Sequence, residues 1–140
     1  MILPDVNVLI YAFRNDSLDH PRYRAWLESV VNSSEPYGIS PQVLAGVVRI
    51  VSHPRIFARP SRVSEAFTFA RTLMEQPNAT IVVPGERHWD IFEQLCSTAA
   101  ATGNLVQDAW YAALAIESGC EWITTDRDYA RFPDLRWRVP

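Results

Sequence analysis

The chain contains no lysine, and all 13 of its basic side chains are arginine. Schiff-base enzymes and P-loop nucleotide hydrolases depend on a lysine ammonium, so both classes are excluded, as are receiver-type phosphoacceptor domains. Arginine remains well suited to phosphate, because its planar guanidinium binds two oxygens at once. The arginine bias therefore permits an RNA ligand, although a GC-rich genome produces the same bias.

Cysteine and long apolar runs are also scarce. The two cysteines, Cys96 and Cys120, have no Cys-x-x-Cys motif or metal-site spacing to histidine around them, which argues against zinc and fits a reducing compartment. The amino terminus lacks the positive charge of a signal peptide, and no apolar run approaches the ~18 residues of a membrane span. We therefore expect a cytoplasmic protein with no membrane segment.

The chain does contain enough apolar residues for one core. Its 140 residues are 48% hydrophobic, and its formal net charge is -3. A chain of this length can bury a core without disulfides or metals, so we expect a single domain over residues 1–140. The negative charge gives no general attraction to nucleic acid.

Short apolar or β-branched segments alternate with longer segments of helical periodicity. Strands are predicted at 1–4, 37–40, 80–83 and 121–124, and 135–139 can add a fifth. Helices are predicted from Val6, over 19–31, over 41–51, over 64–76, over 86–102 with Gly103 as its stop, and over 108–118 with Gly119 as its C-cap. This alternation indicates βαβ units, so we predict an α/β fold with a mainly parallel central sheet.

Acidic residues follow the predicted strands. Asp5 ends the first strand, Asp108 begins the alanine-rich helix, and Asp126 and Asp128 follow the fourth strand. Ligands in such folds bind beyond the carboxyl ends of the strands, so these four carboxylates are expected at one edge of the sheet. Taken singly, Asp108 is an ordinary helix-start residue, and Asp126 and Asp128 are ordinary turn residues. Asp5 is harder to explain, because an unpaired charge in a segment bound for the core is costly.

Crowded carboxylates repel one another unless a pKa rises or a cation binds. Hard oxygen ligands suit Mg²⁺ or Mn²⁺, whose common use in such a site is to activate water against a phosphodiester. Asn7 and Thr124 are candidates to orient the ligands. A haloacid-type phosphatase fits less well, because the residues after Asp5 lack that family's second aspartate and the required lysine is absent.

The chain resembles PIN-domain proteins, and more narrowly the ribonuclease toxins of VapBC toxin–antitoxin modules. The matching segments are DVNVLIYA from Asp5, LVQDAWYAALAIESG around Asp108 and TTDRDYARFP around Asp126, with ISPQVLAGVVRIVSHPRIF between them. The resemblance covers essentially the whole chain. It implies a PIN-like α/β/α sandwich and an Mg²⁺- or Mn²⁺-dependent endoribonuclease. It also implies that Asp5, Asp108 and Asp126 are catalytic metal ligands and that Asp128 is a further ligand, directly or through water.

The resemblance also implies partners. RNA is the expected substrate, and a homodimer is expected. A VapB-type antitoxin is expected to lie across the toxin and to place a basic residue in the acidic pocket, which would attract it. Surface for these contacts is expected around Trp26 or at Phe67 and Phe69, unless these side chains belong to the core.

One position departs from the family. Members usually carry a glutamate in the helix after the second strand and an arginine three residues later, where this chain has Gly46 and Arg49. At about 100° per residue, Gly46 lies at the edge of the apolar arc, beside Arg49. Two hypotheses follow. In the first, the chain is a ribonuclease weakened by one missing ligand, and arginines such as Arg49, Arg55 and Arg59 contact phosphate or antitoxin. In the second, it is an impaired PIN domain that binds RNA or antitoxin. Alternatively, Gly46 only permits close helix packing, and Ser40 or Gln42 is a candidate replacement for the glutamate.

Overall fold

The computed structural model describes all 140 residues. It contains five strands, β1 (Ile2–Pro4), β2 (Tyr37–Ile39), β3 (Ala79–Ile81), β4 (Glu121–Ile123) and β5 (Trp137–Arg138). The six helices are α1 (Val6–Phe13), α2 (His20–Val31), α3 (Pro41–Val51), α4 (Val63–Met74), α5 (His88–Thr98) and α6 (Asn104–Ser118). A 3₁₀ turn, Arg127–Arg131, lies between β4 and β5. None of the helices combines the length and the apolar character needed to cross a membrane.

The strands form one sheet with the order β3-β2-β1-β4-β5, and every neighbouring pair is parallel. The chain therefore moves outward from β1 to β3 and then returns across the sheet to β4. Because parallel crossovers are right-handed, this reversal puts α1 to α4 on one face and α5 and α6 on the other. The predicted α/β/α sandwich is confirmed, and its strand order reverses between β1 and β4.

An aromatic cluster supports the carboxyl end of β4. Trp122 is fully buried, and its ring stacks on Tyr111 of α6 at 5.6 Å between centroids. Tyr129, from the 3₁₀ turn, packs against the same indole at 5.5 Å. Helix α6 approaches closely because the residues it turns inward are mostly small: Ala109, Ala112, Ala113 and Ala115. The sheet and α6 therefore hold both tyrosines in defined positions.

The predicted boundaries agree within a few residues except around α5 and α6. The prediction that α5 runs to residue 102 is wrong, because the helix ends at Thr98. Ala100 adopts a left-handed conformation with φ of 48°, and the Ala101 N–H returns to the Cys96 carbonyl at 2.9 Å. This is a Schellman ending with alanine where glycine is usual. Gly103 is not the stop of α5; it precedes α6, which begins four residues before Asp108 rather than at it.

A buried arginine fastens the loop between α3 and α4 to the end of α1. Arg14 is 7% exposed and forms a two-point ion pair with Asp16, with distances of 2.6 and 2.8 Å. Its guanidinium also donates to the Ser61 hydroxyl and to the Arg59 carbonyl, both at 3.0 Å. The same group lies 3.8 Å from the centre of the Phe57 ring. One side chain therefore holds three points of the loop.

The environment of Arg14 predicts a loss of stability when the guanidinium is removed. Arg14→Ala deletes charge-assisted hydrogen bonds to two loop residues and the packing on Phe57, so we expect the free energy of unfolding to fall by about 2 kcal/mol. Urea denaturation measures this loss, with Arg24→Ala, which removes an exposed ion pair, as the matched control. Equal stability of the two variants would contradict the anchoring of the loop by Arg14.

Candidate active site

The candidate site lies where the strand order reverses, between β1 and β4. Open parallel sheets bind ligands outside the carboxyl ends of the strands at such a point. Asp5 directly follows β1, and Asp126 comes shortly after β4. The backbone N–H of Asp5 donates to the Ile123 carbonyl at 2.9 Å. The two strand ends, and the acids that follow them, are thus held side by side.

The carboxylate of Asp5 is buried and fixed by two hydrogen bonds. The residue is 6% exposed, and its Oδ1 accepts from the Val6 N–H at 2.7 Å, at the start of α1. Its Oδ2 accepts from the Thr124 hydroxyl at 2.6 Å. The Thr124 Oγ1 in turn accepts from the Asp126 backbone N–H at 3.0 Å. Thr124 therefore connects two of the predicted ligands, which is where an orienting residue is expected.

Three of the predicted acids form a compact group. One carboxylate oxygen from each of Asp108, Asp126 and Asp128 lies within 4.8 Å of the other two. The Asp126 Oδ1 also accepts from the Asp128 N–H at 2.9 Å, where the 3₁₀ turn begins. Asp5 is not a member of this group, but it lines the same cleft as Asp108 and Asp126. Asp128 is exposed beside that cleft.

Two of these carboxyl groups have strongly raised pKa values. Burial raises the pKa of Asp5 to about 7, against the hydrogen bonds from Thr124 and Val6, which lower it. Burial also raises the pKa of Asp108 to about 6, and the negative charges of Asp126 and Asp128 add to the effect. A nearby cation would reverse this repulsion, because it favours the charged form of each carboxyl group.

The cleft has a volume of about 470 Å³ and is walled by α1, α3, α6 and the segment after β4. Of the predicted site residues, five line it: Asp5, Asn7, Arg49, Asp108 and Asp126. Thr124 lies beneath it, fully buried. The acids and the one lining arginine therefore face a common space that is large enough for a phosphodiester group.

The residues present fit a hard divalent cation. The cleft is lined by carboxylate and amide oxygens, and no histidine or cysteine lines it. The Asn7 Oδ1 atom is buried and has no hydrogen-bond partner. Buried polar atoms are rarely left unpaired, and an oxygen beside several carboxylates suits a cation or a water that the cation holds.

Gly46 lies on the α3 wall of the cleft. A Cβ atom at this position would lie 3.1 Å from a methyl group of Val6 and 3.7 Å from the Tyr111 hydroxyl oxygen. Gly46 therefore both faces the site and permits a close approach of α1 to α3. Of the candidate replacements for the glutamate, Gln42 lines the cleft, whereas Ser40 is buried and does not.

Three polar lining residues were missed by the sequence reasoning: Gln107, Tyr111 and Tyr129. Tyr111 follows Asp108 by three positions, and residues so spaced are neighbours on a helix surface. That spacing could have identified it. Tyr129 is next to Asp128 in the chain, and its hydroxyl lowers the pKa of Asp108 through a hydrogen bond.

A sequence profile of the PIN domain matches residues 2–135 of the chain. Among curated proteins, the chain is 44% identical over 140 residues to Ribonuclease VapC43 of Mycobacterium tuberculosis, covering 100% of this chain and 95% of that protein. It is 37% identical over 136 residues to Ribonuclease VapC25 of the same organism, covering 97% and 96%.

Solved structures show the same fold at lower sequence identity. The VapBC2 complex of Rickettsia felis, bound to a DNA fragment from its promoter, contains a chain that matches with a TM-score of 0.73 and 18% identity, covering 99% of this chain and 98% of that one. A chain of VapBC-1 from nontypeable Haemophilus influenzae matches with a TM-score of 0.69 and 20% identity, with the same coverage.

The raised pKa values predict that the metal-free protein loses stability as the pH rises. Asp5 and Asp108 have ordinary pKa values of 3.8, which apply to the unfolded chain, but values of about 7 and about 6 in the folded protein. Between these limits the folded state binds more protons than the unfolded state, so the free energy of unfolding falls as the pH increases. Urea denaturation in EDTA should show greater stability near pH 5 than near pH 8.

The difference in stability between pH 5 and pH 8 should be smaller in Asp5→Asn, because the amide cannot titrate. It should be unchanged in Asp90→Asn, which removes an exposed acid of α5. The same pH dependence in Asp5→Asn and in the unaltered protein would contradict the raised pKa of Asp5.

Proposed function

The chain belongs to the PIN-domain family, and from this premise we propose that it is a metal-dependent endoribonuclease, the toxin of a type II toxin–antitoxin system. The observation that carries the proposal is the convergence of carboxylates from three separate segments on one cleft. The similarity to proteins named ribonucleases, along almost their full length, supports the activity. We treat residues 1–140 as one PIN domain, which would act on RNA in the cytoplasm.

We assign the metal ligands to the acids at the strand ends. Asp5, Asp108 and Asp126 would hold Mg²⁺, with Mn²⁺ as a substitute, and Asp128 would add a ligand directly or through water. Such an ion supplies positive charge that lowers the pKa of a water molecule and offsets charge on a phosphodiester. The compact group of three carboxylates and the raised pKa of Asp108 support this assignment.

The surrounding residues would hold the ligands and the substrate. The Thr124 hydroxyl and the Val6 N–H keep the Asp5 carboxylate in one orientation, and Asn7 offers its unpaired amide oxygen. Arg49, on the α3 wall, would bind a non-bridging phosphate oxygen. Hydrolysis then joins a water oxygen to phosphorus and breaks one P–O bond of the RNA backbone, and one proton of the water passes to the oxygen that leaves.

Gly46 bears on how active this site is. The comparisons give no support to the alternative of an impaired PIN domain that only binds RNA or antitoxin, because the relatives are named ribonucleases. We propose instead that the aspartates suffice for cleavage. A site without a carboxylate at position 46 would still bind metal more weakly than one that has it, because one anionic ligand is missing.

A VapB-type antitoxin is the proposed protein partner, because solved chains of the same fold come from VapBC complexes. An apolar groove of about 440 Å³ between α3 and α4 offers a surface for it. Phe67 is 54% exposed in this groove, whereas Phe69 packs against Phe13 and Trp26 is partly buried against the core. Arg49 lines both the groove and the catalytic cleft. A homodimer also remains part of the proposal.

We propose a second RNA contact at the loop after α3. Between Glu35 and Glu65 the chain contains four arginines and no acid: Arg49, Arg55, Arg59 and Arg62. All four are exposed, and the ion pairs of the structure involve other arginines. The loop follows the helix that carries Arg49, so a strand of RNA leaving the cleft along α3 would meet further positive charge.

The proposed chemistry predicts cleavage that needs both a metal and the acids. Purified protein should cleave single-stranded RNA with Mg²⁺ or Mn²⁺ and not in EDTA. Asp126→Asn keeps an acceptor for the Asp128 N–H but removes a charged ligand, so we expect at least about a 100-fold loss of rate. Asp90→Asn, on α5 and outside the cleft, should cleave at the normal rate. Cleavage that survives EDTA or Asp126→Asn would contradict the proposal.

The proposed RNA-binding loop predicts a change in salt dependence. Replacing Arg55 and Arg59 together by glutamine should weaken the binding of single-stranded RNA whatever its sequence. It should also reduce the slope of log K against log salt by about 0.7 for each phosphate that is no longer neutralised. Fluorescence anisotropy measures both effects, with Arg87→Gln on the other face of the sheet as the matched control. An unchanged slope in the double variant would mean that the loop does not contact RNA phosphates, which would contradict this part of the proposal.

A further inference from the structure

The Tyr111 hydroxyl opens on the catalytic cleft opposite Gly46. Tyr111 is 8% exposed and lines the cleft together with Asp5, Asp108 and Asp126. The Tyr111 ring is held on two sides, stacked on Trp122 at 5.6 Å and edge-on to Trp110 at 5.7 Å. A ring packed in this way places its hydroxyl without further loss of side-chain freedom when a ligand binds.

The hydroxyl of Tyr111 is available as a donor. The hydroxyl of the buried Tyr37, by contrast, already donates to the Leu73 carbonyl at 2.5 Å. Burial raises the pKa of Tyr111, and the charge of Asp5 adds to this, so the group stays protonated at neutral pH. The neighbouring Gln107 side chain lowers the pKa, against these two effects. A protonated phenol can donate a hydrogen bond to a ligand that enters the cleft.

Gly46 keeps the space in front of this hydroxyl open. A Cβ at position 46 would lie 3.7 Å from the Tyr111 oxygen, and a longer side chain would extend between α3 and the hydroxyl. It would also press on Val6, whose methyl group lies 3.1 Å from the same Cβ position. Because Gly46 on α3 has no side chain, the Tyr111 hydroxyl on α6 stays accessible from the cleft.

We propose that Tyr111 is a substrate-binding residue whose hydroxyl donates a hydrogen bond to a non-bridging oxygen of the RNA phosphodiester, and that Gly46 keeps its approach clear. This inference rests on the proposed ribonuclease function. A neutral phenol is a poor ligand for Mg²⁺ beside several carboxylates, whereas a fixed donor stabilises negative charge on a phosphate oxygen. Tyr111 therefore contacts the substrate rather than the metal.

Tyr111→Phe tests the proposal, because it keeps the packing on Trp122 and removes only the hydroxyl. We expect kcat/KM for RNA cleavage to fall by about 10-fold to 100-fold, the usual cost of a hydrogen bond to a charged group. Mn²⁺ affinity by calorimetry, the melting temperature and the shape of the pH–rate profile should not change. Tyr23→Phe, at a tyrosine that is 7% exposed and outside the cleft, should match the unaltered protein.

A second variant tests the part assigned to Gly46. Gly46→Gln has the length of glutamate without its charge and should divert the Tyr111 hydroxyl from the substrate. We expect it to lower kcat/KM in the unaltered protein and to have a smaller effect in the Tyr111→Phe background. A disturbance of α1–α3 packing alone would lower activity equally in both backgrounds, and that result would overturn the role of Gly46.

Two results would overturn the role of Tyr111: normal kcat/KM in Tyr111→Phe while the unaltered protein cleaves RNA, or a parallel loss of Mn²⁺ affinity. An unaltered protein that does not cleave RNA is a different outcome. It overturns the proposed function, and the inference about Tyr111 with it.

Discussion

The pairing of β1 with β4 is the constraint on which the site depends. The residues it joins are far apart in the chain: the Thr124 hydroxyl bonds to an Asp5 carboxylate 119 positions away. The backbone bond from Asp5 to Ile123 aligns the two strand ends. A slip of one residue would turn Thr124 away from Asp5, because side chains alternate along a strand. Asp108 joins these groups because the small residues of α6 allow that helix to lie close to the sheet.

The fold gathers these acids at a cost to the metal-free protein. Burial and mutual repulsion disfavour the charged forms of Asp5 and Asp108 near neutral pH. A cation that binds only the folded state would offset that cost and add its binding free energy to stability. Part of this cost is offset by the hydrogen bonds that the Asp5 carboxylate accepts from Thr124 and from the Val6 N–H. The proposed metal binding and the loss of stability expected without metal therefore have the same cause.

Much of the fold could be predicted from local patterns, because its strands and helices differ clearly in periodicity. The rule that ligands bind at the carboxyl ends of strands also predicted that Asp5, Asp108 and Asp126 lie at one edge of the sheet. In the structure these three residues line one cleft. Local patterns did not predict the end of α5 before Ala100. An alanine in a left-handed conformation is unusual, and no neighbouring residue indicates it. The hydrogen bond between Thr124 and Asp5 and the facing of Tyr111 and Gly46 depend on tertiary packing. In each of these pairs the two residues are too far apart in the chain for a local sequence pattern to include both.

In the proposed site, acids from three distant segments hold one metal ion. Anomalous diffraction from a crystal of the protein soaked in Mn²⁺ would locate that ion. We predict an anomalous peak in the cleft between α1, α3 and α6, in contact with carboxylate oxygens of Asp5, Asp108 and Asp126. A well-diffracting crystal with no peak in the cleft at saturating Mn²⁺, or with a peak bound by other residues, would contradict this claim.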